Sequence, residues 1–179
     1  MDETVDTDED RYFDKTDKVP EVIRLLMTLL PWNQASFTKI IVPFEGYADS
    51  GNIEKAWLYD GTNAVASLEE FLREKGLDTK TCGVEIQTSS WSEVTKTWKG
   101  HKEIEQMAIP EALVQYVDRL LDVSGVDWYN SDGGGGEYVL TFTEEGFVED
   151  FNMYVNVSTT EQAVEVQKAY RTLPEQLPV

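Results

Sequence analysis

The segment VDWYNSDGGGGEYVLTFTEEGFVEDFNMYVNV, residues 126–157, decides the fold. Tyr138, Leu140 and Phe142 alternate along one run, and beyond a turn at Glu145-Gly146 the residues Phe151, Met153, Val155 and Val157 line one face of a second. A spacing of two is the signature of half-buried strands. With VDWY as a short strand ahead of them, the three runs are expected to form an antiparallel meander over 126–157. Glycines 133–136 read as a flexible hairpin connection, because glycine tolerates the backbone angles of tight turns.

Upstream of this segment, Pro110 opens an amphipathic helix with Leu113, Val117, Leu120 and Leu121 on one face, and Gly125 ends it. A second helix is expected over 68–75, where Ser67 and Glu70 have capping-box spacing and Gly76 a C-cap position. Pro20 opens a third, with Val22, Leu25, Leu26, Leu29 and Leu30 at helical spacing before Pro31. The runs FTKIIVPF and NIEKAWLYDG, separated by EGYADSG, predict a hairpin over 37–60 that turns near Asp49, Ser50 and Gly51. Pro43 cannot donate to a ladder, so that first strand belongs at an edge or carries a bulge. Residues 82–107 are least legible: CGVEIQT and EVTKTW look like strands around a Ser-rich turn. At the far end, Ser158 to Glu161 repeats the capping pattern before AVEVQKAY, which predicts a terminal helix, and Pro174 and Pro178 end order. The expected fold is therefore α+β: a mainly antiparallel sheet, hairpin 37–60 plus meander 126–157, packed against two or three helices. One domain over 18–173 would follow an acidic, disordered segment at 1–17 and precede a tail at 174–179, since eight acids in residues 2–17 repel one another.

Charge is the outlying quantity, with 34 acids against 15 bases and a formal net charge of -19. Direct binding to nucleic acid is disfavoured, because phosphate contacts would add like charge and release no counterions. A basic protein is the natural partner, and the carboxylates expected to meet it are Asp49, Asp127, Asp132, Glu137, Glu144, Glu145, Glu149 and Asp150. The bases are locally concentrated instead at Lys80, Lys96, Lys99 and Lys102. Trp32, Trp91 and Trp98 stand in polar surroundings, where they either anchor a partner or cover the rim of the core.

Catalytic signals are weak. After the glycine run no Gly-Lys-Ser/Thr follows, and a strand rather than a helix comes next, so a phosphate loop is not expected. Asp127, Asn130 and Asp132 offer hard oxygens to a cation, yet as an EF-hand they would put Trp128 at position one and Val139 at position twelve. The plainer reading gives Asp127 and Asn130 to Asx turns. Cys82 and His101, each the sole residue of its kind, allow a thiol and base only arithmetically. A lone cysteine also precludes an internal disulfide, which suits a reducing compartment. No catalytic residue and no cofactor is expected. No stretch has the length and apolarity of a membrane span, and the chain opens without a basic and apolar leader. A cytoplasmic location follows as the expectation.

Two segments, PFEGYADSGNIE at 43–54 and DWYNSDGGGGEYVLTF at 127–142, together resemble an uncharacterised family of small bacterial, plasmid and phage proteins, a domain of unknown function. The shared pattern is F-x-G-x-x-D-S-G-x-I-E followed, after a helix, by D-W-x-N-x-D-G-x-x-G. The resemblance implies a common fold and carries no catalytic role onto Asp49, Ser50, Gly51, Asp127, Asn130 or Asp132. Four consecutive glycines and the long acidic N-terminus depart from the pattern. It also implies a setting, phages and mobile elements, in which acidic proteins occupy the nucleic-acid-binding surfaces of host defence proteins. The leading expectation is a non-enzymatic, anti-CRISPR-like or DNA-mimic-like inhibitor of a basic partner such as a nuclease or nucleic-acid-binding complex. The alternative is a small-ligand- or cation-binding domain, with a hydrolase as one form of it, whose site lies where the DSG turn meets WYNSDGGGG.

Overall fold

The computed structural model describes residues 19–30, 37–130, 132–143, 146–157 and 160–170. Expectations for the acidic segment 1–17, the tail, Trp32, Glu144 and Glu145 lie outside them. The chain forms α1 (Glu21–Leu29), β1 (Lys39–Tyr47), β2 (Ser50–Ile53), β3 (Trp57–Asp60), β4 (Asn63–Ser67), α2 (Leu68–Glu74), β5 (Thr81–Ser92), β6 (Thr97–Ala108), α3 (Ile109–Ser124), β7 (Gly134–Thr143), β8 (Gly146–Val157) and β9 (Thr160–Tyr170). The α+β expectation stands: seven strands make one antiparallel sheet in the order β4-β3-β1-β7-β8-β9, with β2 also on β1, and β5 and β6 make a separate ribbon.

β1 is interior, with β7 along one side and both β2 and β3 along the other. This corrects the edge placement. β3 pairs Lys39 to Ile41 and β2 pairs Phe44 to Tyr47, so the partner strand is interrupted beside Pro43. The Pro43 carbonyl accepts from the Glu54 backbone N–H at 2.8 Å on that side. A proline fits inside a sheet where its missing N–H meets such a gap.

One face of the sheet carries Ile40, Val42, Phe44, Leu58, Tyr138, Leu140, Phe147, Phe151 and Met153, all buried, against Val22, Ile23 and Leu26 of α1 and Leu113, Val117 and Leu121 of α3. α3 ends at Gly125, whose φ of 67° is the left-handed conformation expected of that position. α2 begins with a complete capping box between Ser67 and Glu70.

Four expectations are corrected. Residues 126–129 form a loop, not a strand. Gly134 to Gly136 belong to β7, inserted between β1 and β8, and are not a flexible connection. The turn of the β5–β6 ribbon lies at 93–96, so Ser89 and Ser90 are in β5. Residues 160–170 extend the sheet as β9 on β8 where a terminal helix was expected. The open edge of β8 supplies a ladder to that segment, and its Val164 and Val166 suit a strand better than a helix.

Candidate functional site

The β1–β2 turn and the loop 126–133, some eighty residues apart in sequence, lock together at one end of the sheet. Ala48 and Asp49 take φ of 52° and 67°, the two positive angles of a type I′ hairpin turn. The turn therefore sits one residue earlier than the sequence suggests, and Gly51 is needed for a different reason. A methyl group there would lie 2.5 Å from Cη2 of Trp128, so only glycine lets the buried indole lie across β2. At Gly46 the same methyl would meet Cβ of Tyr129 at 2.5 Å. Trp128 in turn packs edge-on against Phe44 at 5.2 Å and Tyr129 at 5.3 Å.

Backbone hydrogen bonds complete the junction. The Asp49 N–H donates to the Tyr129 carbonyl at 3.1 Å, and the Gly133 N–H donates to that of Asn130 at 2.9 Å. The Gly133 carbonyl accepts from Asn156 N–H at 2.8 Å, and the Asn156 side-chain amide donates to the Asp132 carbonyl at 3.2 Å. Asp127 Oδ1 accepts from the Asn130 N–H at 3.2 Å, the Asx role expected of it. Gly133 has φ of 73°, and a methyl there would fall 2.0 Å from the Gly46 carbonyl oxygen. The glycine run is thus a requirement of close backbone approach in a central strand.

Asp49, Asp127, Asp132 and Tyr129 are exposed around this junction, and Glu45, Tyr47 and Tyr154 are exposed on the outer face of the same end of the sheet, Glu45 and Tyr154 in register through Gly135 and Tyr47 72% exposed. We refer to this surface as the acidic–tyrosine patch. From residue 120 to 167 the chain holds ten acids and no lysine, arginine or histidine, so no base in that stretch offsets the charge.

Glu137 and Asp150 are half-buried on the sheet face turned away from the helices, where Asp150 is the cross-strand partner of Val139 and Glu137 of Asn152. Glu137 lies one register row from Glu45 and Tyr154 on that face, at the margin of the patch, and Asp150 lies further along it. Glu149 departs from its expected role: it is 2% exposed and points into the core, where its Oε1 accepts from the hydroxyls of Tyr116 and Tyr138, each at 2.7 Å. In the pair Glu149-Asp150 the pleat sends one residue inward and its neighbour outward. Glu45 and Tyr47 escaped the sequence reading although their spacing of two along β1 marks them as neighbours on one face; Tyr154 had no local signal, since β7 alone brings it there.

No group of three His, Cys, Asp or Glu converges as a metal site among the described residues. Cys82 is buried at the base of the ribbon opposite Met107, and burial pushes its thiol up to about 11. His101 pairs with Thr88 six residues further along the ribbon, about 20 Å away at a strand's rise per residue. They do not meet. A groove of about 520 Å³ opens between the bend at 54–56, α2 and the start of α3, with Leu72, Pro110 and Val114 in its wall and Lys55, Arg73 and Glu111 beside them. Three segments remote in sequence build it, which hides it from local reading. Among the described residues no helix is long and apolar enough to cross a membrane.

Neither a curated protein nor a solved structure matches this chain. The profile of a family of unknown function, DUF6878, matches residues 22–165, a span that starts in α1, contains both halves of the glycine–tryptophan junction and ends in β9. With most of its length accounted for in this way, the chain belongs to the family of unknown function DUF6878.

Proposed function

We propose that this protein is a non-enzymatic acidic binding module that captures a basic protein partner through the acidic–tyrosine patch. The observation that carries the reading is the junction itself: Asp49, Asp127 and Asp132 are held on backbone locked by Trp128 against Gly51 and by Gly133 against Gly46. Carboxylates on a rigid scaffold keep the spacing that a cationic surface recognises, and tyrosines beside them add contact area at low entropic cost. With a net charge of -19, long-range attraction accelerates encounter with a basic partner. A nuclease or another nucleic-acid-binding defence protein, met in a phage or plasmid setting, has the required surface.

The test is capture from a host lysate on the immobilised chain, compared with a Glu45→Lys/Asp132→Lys variant and eluted by a salt gradient. A basic protein retained by the wild type, lost by the variant and released as salt rises is the expected result. Retention unchanged near 1 M salt, where the Debye length is about 3 Å, would remove the electrostatic basis.

A second reading puts a cation or small ligand at the junction, favoured by the Asp49 to Tyr129 hydrogen bond that joins the two loops. Calcium, magnesium or manganese bound there would stabilise the fold by about 2.7 kcal/mol at a hundredfold excess over the dissociation constant. Thermal unfolding unaltered by all three would exclude the cation form of this reading.

A further inference from the structure

We propose that the tip of the β5–β6 ribbon docks onto the acidic–tyrosine patch of a second copy of this chain. The inference rests on the patch accepting basic surfaces, as argued above, and adds a specific occupant.

β6 is exposed at every residue from Thr97 to Gln106, and Ile86 is the last residue of β5 packed against the core. From Ile86 to Ser92 the ribbon extends about 20 Å, more than two Debye lengths at physiological salt. Charge on the acidic body is therefore screened from the tip. Over 86–102 the chain carries Lys96, Lys99 and Lys102 against Glu93 alone, a local formal charge of +2 in a chain of -19. Lys96 pairs with Glu93, and Lys102 with Glu85 at 2.9 Å, while Lys99 has no ion-pair partner among the described residues.

At the same end Trp91 and Trp98 are cross-strand partners with ring centroids 5.8 Å apart, 45% and 67% exposed. The edge-on contact helps hold the ribbon together, since an isolated two-stranded hairpin is only marginally stable. It also leaves two indoles and Val94 facing water on a protruding element, the composition of an interface centre, with lysines as its rim. Because the indoles are exposed, the tip is not docked on its own body.

Opposite charge and aromatic content make the patch its complement: Glu45, Asp49, Asp127 and Asp132 answer the lysines, and Tyr47, Tyr129 and Tyr154 offer faces to the indoles. Under two-fold symmetry each copy gives one tip and receives one, which closes the assembly at two chains.

The experiment is sedimentation velocity of the full chain over a concentration series at physiological salt, where the screening argued above applies. Two variants are compared: Lys96→Glu/Lys99→Glu/Lys102→Glu at the tip and Glu45→Lys/Asp132→Lys at the patch. Each replaces exposed residues, and circular dichroism verifies that both fold. Expected are a wild-type dimer that dissociates on dilution, loss of the dimer in either variant alone, and its return when the two are mixed, because the acidic tip of one then meets the basic patch of the other. A wild type monomeric at every concentration overturns the proposal, as does a mixture that stays monomeric. A monomer that instead shifts a labelled single-stranded oligonucleotide would make the tip a nucleic-acid platform and overturn it equally. If the chain is monomeric yet still captures a basic protein through the patch, this inference fails and the proposed function stands.

Discussion

Replacing Glu149 by leucine separates a structural carboxylate from a partner-binding one. Its Oε1 accepts two phenolic hydroxyls, from Tyr116 and the fully buried Tyr138, each at 2.7 Å. Without the acceptor, each hydroxyl loses a bond, at about 1–3 kcal/mol for a buried group, or roughly 2–6 kcal/mol for the pair. Removing a buried polar carboxyl offsets part of that, because its desolvation is no longer required. Tyr116 is only half-buried and regains some hydration, so Tyr138 dominates the loss. The expected net cost of Glu149→Leu is about 3 kcal/mol. At roughly 2–4 °C per kcal/mol for a chain of this size, that is a fall in Tm of about 6–12 °C. Adding Tyr138→Phe should restore about 1–2 kcal/mol by removing the stranded hydroxyl. Urea unfolding of the wild type, both single variants and the double variant closes the cycle. A Glu149→Leu protein within about 0.5 kcal/mol of wild type, an ordinary surface effect, would refute the reasoning and return Glu149 to the list of surface carboxylates.

Three further outcomes are expected. Gly133→Ala, with its methyl 2.0 Å from the Gly46 carbonyl oxygen, should prevent folding or lower Tm far more than Gly125→Ala. The latter has open space at φ of 67° and should cost about 1–2 kcal/mol in thermal unfolding, the left-handed penalty alone. Ser67→Ala should cost about 1 kcal/mol in urea unfolding through the lost cap. The Ser67 backbone N–H and hydroxyl hold the Glu70 carboxyl below its ordinary value of 4.5, so the box contributes fully above that pH. Its contribution is lost as pH falls through the lower folded value, and the urea midpoint of Ser67→Ala should be less sensitive to acid than that of the wild type. Cys82, raised from 9.0 to about 11 by burial, should resist a thiol reagent at pH 8 in the native protein and react on unfolding. Because the thiolate forms more readily in the unfolded chain, stability should decline as pH rises from about 9 through 11, visible in the urea midpoint.

The sequence by itself determined the elements whose signals are local. Pro110 and Gly125 bound α3, Ser67 and Glu70 cap α2, and the alternation of Tyr138, Leu140 and Phe142 marks β7, because helix caps and pleats act over a few residues. The same alternation predicted the antiparallel sheet. Tertiary structure alone decided what the motifs are for. Gly46, Gly51 and Gly133 look like turn residues in sequence, yet each is required by a Trp128, Tyr129 or carbonyl contact from a distant segment. The capping pattern of Ser158 to Glu161 pointed to a helix over AVEVQKAY, yet residues 160–170 became β9, because β8 presented an open edge and a ladder outweighs a few tenths of a kcal/mol of local preference per residue. Glu149 and Asp150 are adjacent acids in the chain, and only the placement of α3 over one face of β8 makes the first a buried acceptor and leaves the second on the outer face. Burial is a property of two surfaces meeting, and a single stretch of residues holds only one of them.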